Sequence, residues 1–185
     1  MKSKRGGWAL IDVLVGIIIL GIVLGALFQV YTNLWDSNKY SAGMSTSQIE
    51  AQQMATSIAT AFRSAVQCTS TDSGCTVGAN IESASSTGCT IYSRNSSNAL
   101  VETTYAVNNG NYQTTVGSGT ASTIYTGASL SLTYYSSSTY NTNTLTSFTP
   151  TSSTSTNLAA VGILTSITLN GVTSTYTTFV GLRNR

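Results

Sequence analysis

One acidic residue sits where an acid is costly. Asp12 is the only charged residue in Trp8–Val30, WALIDVLVGIIILGIVLGALFQV. A carboxylate in hydrocarbon costs on the order of a few kcal/mol, so a bare anchor does not account for it. Three cysteines, Cys68, Cys75 and Cys89, fall close together. In an exported chain two of them form a disulfide and one is left over. Cys68–Cys75 closes the shortest loop, CTSTDSGC; Cys75–Cys89 and Cys68–Cys89 stay open. The chain has no histidine, which removes His-based triads, His general bases and most transition-metal sites. Three cysteines without histidine make a poor zinc site, so no metal and no cofactor is expected. Serine catalysis would need lysine or a carboxylate. Lys39 is the sole lysine beyond Lys4 and lies on a predicted helix near the membrane, and the outer acids are scattered along the chain. An enzyme is not the expected reading.

The elements that must position these residues begin with the apolar run. About 20 residues at ~1.5 Å each span ~30 Å, the hydrocarbon thickness of a bilayer. Lys2, Lys4 and Arg5 precede it, followed by Gly6 and Gly7. A secretory signal has a shorter apolar core and a small-residue cleavage site after it. Here the run is followed by Tyr31, Asn33 and Trp35. The pattern points to processing before the run, between Gly7 and Trp8. The basic leader holds that end in the cytoplasm and the bulk of the chain faces outward.

Residues 31–67 contain no proline. Met44, Ser47, Ala51, Met54, Ile58, Ala61 or Phe62, and Ala65 recur at three- and four-residue spacing, one stripe of an amphipathic helix. Gly43 is an expected weak spot where this helix bends. Beyond Cys89 the pattern becomes β-branched and tyrosine-rich: 90–93, 99–107, 112–116, 122–125 and 129–135 read as strands. Asn109-Gly110 reads as a turn. Residues 160–169 and 172–182 flank Asn170-Gly171, which suits a two-residue hairpin turn. That turn pairs Leu169 with Val172, Ile167 with Ser174, Thr165 with Tyr176, Ile163 with Thr178 and Val161 with Val180. The mostly apolar face so formed covers the helix stripe. The expected class is α+β.

Residues 136–157 are rich in Ser and Thr, hold the only proline, Pro150, and read as a solvated loop. Asn95-Ser96-Ser97 matches the N-glycosylation pattern. Charged residues make up 8% of the chain against a typical ~25%. Three of the eight basic residues lie in the leader, so no basic stripe remains for strong nucleic-acid binding.

Together, the basic leader, Gly7, the apolar helix and the acid at its fifth position resemble the N-terminal signal of type IV pilins and type II secretion pseudopilins. The helix end Gln53–Ala65 and the closing segment Phe179–Asn184 (FVGLRN) resemble minor subunits of the PilW and GspJ type. The resemblance implies a pilin-like fold with a leader at 1–7, a transmembrane and filament-core helix at 8–30, an amphipathic helix at 31–67 packed on an antiparallel sheet, and an extracytoplasmic β-rich domain at 68–185. It implies cleavage between Gly7 and Trp8 by prepilin peptidase, and N-methylation of Trp8. Asp12 would pair with the new α-amine and set the register of assembly. Family members commonly have Phe or Met first and Glu fifth; here Trp8 and Asp12 stand there.

The implied partners are the peptidase, other pilin or pseudopilin subunits, the inner-membrane assembly platform and, before assembly, the membrane. The expected role is a minor pilin at the tip or in assembly priming, serving motility, adhesion or DNA uptake. A type II secretion pseudopilin and a single-pass anchored adhesin are the alternatives. Before assembly the chain would be a single-pass protein of the inner membrane.

Overall fold

The computed structural model describes residues 6–136, 146–151 and 153–182. Leader residues 1–5, loop residues 137–145 and the end of the closing segment, 183–185, lie outside them. The chain is α+β: among the described residues one long helix, α1 (Gly6–Ser64), is followed by nine strands. It divides into two compact units, Met1–Ala42 and Gly43–Arg185.

In the first unit α1 is apolar around its whole circumference from Leu10 to Val30, apart from Asp12 and Gln29. Large side chains from Leu10 to Val30 are 47–71% exposed. A helix apolar all round has no single face to bury within its own unit and suits a nonpolar surrounding. The stretch is long and apolar enough to cross a membrane.

In the second unit, α1 carries a buried stripe. Ser47, Ala51, Met54, Ala55, Ile58, Ala59 and Phe62 are at most 3% exposed. The expected stripe is thus corrected in three places: Met44 is 45% exposed, Ala55 and Ala59 join the buried face, and the helix ends at Ser64 instead of 67, which leaves Ala65 beyond it. The reason is close approach. Alanine has no side chain beyond Cβ, so Ala51, Ala55 and Ala59, one turn apart, let the helix backbone approach the strands. Residues 41–45 are helical, and Gly43 is buried against the turn at Leu169-Asn170, with the Leu169 carbonyl 3.4 Å from where a Cβ would sit.

The strands form two antiparallel sheets rather than the single one expected. The first is a meander in the order β1 (Ile81–Ser85), β2 (Gly88–Arg94), β3 (Leu100–Asn108), β4 (Asn111–Val116), β5 (Ser122–Thr126). The second runs β7 (Ser147–Phe148), β6 (Ala128–Ser136), β8 (Leu158–Leu169), β9 (Val172–Gly181). The chain crosses between them at Gly127, whose φ is +65° and whose carbonyl accepts from the Thr168 amide at 2.9 Å. A Cβ there would collide with the Thr168 carbonyl.

All five hairpin pairs expected across Asn170-Gly171 are present, from Leu169–Val172 to Val161–Val180. Both Asn-Gly turns have positive φ at both residues, +50° and +74° at Asn109-Gly110, +52° and +78° at Asn170-Gly171. That conformation matches the twist of the flanking strands. Within the expected loop, β7 pairs with β6, and Pro150 is buried.

Both sheets contribute to one core with the helix stripe. Ile81, Cys89, Ile91 and Tyr112 come from the first sheet, and Leu130, Leu132, Val161, Ile163 and Ile167 from the second. Phe62 meets Tyr134 edge-on at 6.4 Å. Polar groups in the seam are paired: the Thr165 hydroxyl donates to the Ala51 carbonyl at 2.8 Å, and the Ser47 and Ser174 hydroxyls meet at 2.6 Å.

Candidate functional site

Gly7, Trp8 and Asp12 all lie within α1. Helical geometry sets Asp12 one turn beyond Trp8. Asp12 is exposed and has no ion-pair partner among the described residues. From residue 6 to Trp35 it is the sole charge. Its neighbours Leu10, Ile11, Val13 and Leu14 are 55–71% exposed. The site is therefore an open apolar helix with a single exposed carboxylate near one end, a group that can accept hydrogen bonds or face a cation.

The run ends in aromatic residues whose pairing was not among the sequence expectations. Tyr31 and Trp35 stack with ring centroids 6.2 Å apart, and Lys39 Nζ lies 5.8 Å from the Trp35 centroid. Their four-residue spacing was a legible signal.

Cys68 and Cys75 form the disulfide, with Cα atoms 6.3 Å apart, and Cys89 is free and buried. Burial pushes the Cys89 thiol up to about 12, so it is a poor nucleophile. Within the disulfide loop, Asp72 accepts from the Arg94 guanidinium at 2.9 and 3.2 Å, and from the Thr69 amide and hydroxyl at 2.8 and 2.7 Å. The Arg94 hydrogen bond, then the Thr69 amide, hold its carboxyl down at about 2. The donor atoms of Cys68, Asp72 and Cys75 lie within 4.8 Å of one another. The two sulfurs are bonded to each other, however, and Asp72 is committed to Arg94, so the oxidised loop offers no free donor set for a metal.

The outer acids are less scattered than the sequence suggests. Glu82 on β1 and Glu102 on β3 face each other. Burial, and then the charge of Glu102, raise the Glu82 carboxyl. Tyr92, paired with Glu102 in the sheet, is pushed up to about 12, chiefly by burial. Asn95 closes a turn, its Oδ1 accepting from the Ser97 and Ala99 amides, each at 2.9 Å.

Comparison with family models, curated proteins and solved structures finds no match to this chain.

Proposed function

We propose that this chain is a minor structural subunit of a type IV pilus, stored in the inner membrane through Trp8–Val30 and assembled through the same helix. What carries the reading is the conjunction at one helix end: a basic leader, Gly7, Trp8, and a turn later one carboxylate on an apolar surface, unpaired among the described residues. An anchor that only holds a domain to a membrane has no use for that acid. A subunit whose apolar helix later packs beside others does, because a buried carboxylate must find a partner and so fixes axial position. The partner is the α-amine that cleavage creates on Trp8, on the same or a neighbouring helix. The second half of α1, packed on antiparallel sheets, supports a pilin-like form.

In this reading the chain is a substrate of prepilin peptidase and performs no catalysis itself. The assembly platform and other pilin subunits are its partners. Mass spectrometry of the full chain from membranes tests it. The expected mature form begins at Trp8 and carries a methyl group on its α-amine. A chain that still begins at Met1 overturns the reading in favour of an anchored adhesin. A type II secretion pseudopilin shares the processing and differs in the machine: deletion of that secretion system, not of the pilus, would then abolish assembly.

A further inference from the structure

We infer that Tyr31, Trp35 and Lys39 form a clasp for anionic phospholipid headgroups at the interfacial end of the apolar span. The inference rests on reading Leu10–Val30 as that span. The three residues follow one another at four-residue intervals and so lie on one helix stripe. Tyr31 is 60% and Trp35 53% exposed, and Tyr40 beside them is 61% exposed. The 20 steps from Leu10 to Val30 cover ~30 Å, which fills the hydrocarbon layer. Trp35 then lies ~7 Å further along the axis, at headgroup depth, and Lys39 ~6 Å beyond it.

Tyrosine and tryptophan favour that depth because each has an apolar body and a polar tip. The stacked Tyr31–Trp35 pair presents a rigid apolar ledge toward acyl chains. Lys39 stands at its outer rim, its ammonium within cation–π range of Trp35. Asp36 is the nearby carboxylate in sequence, yet Lys39 makes no ion pair among the described residues. Its N–H donors remain available to a lipid phosphodiester. It is the only lysine past the leader, so this end of the span has one cation to aim. The match is one of charge and depth: a phosphate at the height of Lys39, acyl ester groups at the height of the rings.

The test uses the full chain carrying Trp8→Phe, in which Trp35 is the only tryptophan. It is reconstituted into phosphatidylcholine vesicles doped with brominated phosphatidylglycerol or brominated phosphatidylcholine. A lysine near an anionic surface favours anionic lipid by about fivefold. Trp35 fluorescence should thus be quenched about fivefold more effectively by the brominated phosphatidylglycerol. Adding Lys39→Gln should bring that ratio to about one. Equal quenching by the two lipids with Lys39 present overturns the proposal. So does quenching by aqueous acrylamide alone, which would put Trp35 in water, or by neither agent, which would put a protein partner on the stripe. Carbonate extraction of the same vesicles tests the span separately. A chain that stays with the lipid but fails the quenching test lacks the clasp, and one released by carbonate lacks the span as well.

Discussion

Arg94 reaches Asp72 with both terminal nitrogens, and this pair gives the domain an acid-sensitive point. The folded carboxyl titrates at about 2 against an ordinary 3.8. A depressed carboxylate stabilises the fold above the unfolded value and loses that contribution as pH falls through the folded one. The loop should therefore loosen between about pH 4 and pH 2, and no further effect of Asp72 is expected above that window. Arg94→Gln should return the Asp72 titration toward 3.8, read by carbonyl-detected NMR across the acid range. The pair is part-buried, Arg94 25% and Asp72 10% exposed, so salt should weaken it only in part. Cys89 gives a second expectation: a thiol this buried should resist alkylation in the native protein and react fully once the chain is unfolded, as followed by intact mass. The disulfide partner choice was open in the sequence. It is decided by position, because Cys89 on β2 faces the core while Cys68 and Cys75 bracket a loop.

At the scale of elements, the strands past Cys89 were legible because β-branched runs and Asn-Gly turns are local signals. The β8–β9 register was legible for the same reason: a two-residue turn leaves one way to pair the flanks. β1 (IESAS) and β7 (SF) were not, since neither has a β-branched run; pairing with neighbours makes them strands. The division into two sheets was also hidden. It depends on Gly127, where the left-handed backbone and the nearby Thr168 carbonyl exclude any side chain. Gly127→Ala should lower stability by at least ~2 kcal/mol, adding steric overlap to backbone strain. Gly171→Ala, at positive φ with open space around it, should cost only about 1 kcal/mol. Phe62→Ala removes a ring in contact with Tyr134 and should cost about 3–5 kcal/mol. Denaturant unfolding of the full chain in micelles ranks the three.

For the whole molecule, the decisive residue is Asp12. In the proposed function Asp12→Ala leaves insertion and cleavage intact and lowers incorporation into filaments at least tenfold. That is a conservative reading of the ~3–5 kcal/mol lost when one member of a buried pair is removed. Asp12→Glu keeps the charge and should assemble. Counting sheared filament subunits against the membrane pool measures both, and normal assembly of Asp12→Ala would remove the register argument.

By itself the sequence determined the apolar run, most of the amphipathic stripe that follows it, the β-rich remainder and the closing hairpin, because each is written in nearest-neighbour spacing. Tertiary structure alone decided that Met44 faces solvent while Ala55 and Ala59 are buried. It also decided that two sheets share the helix stripe, that Cys68 bonds Cys75, and that Glu82 meets Glu102. Each of these depends on which distant segment arrives at a given face, and composition and periodicity carry no record of that. The acid in the apolar run stands on both sides of this division: its position is plain in the sequence, while the tertiary structure leaves it exposed and without an ion-pair partner among the described residues.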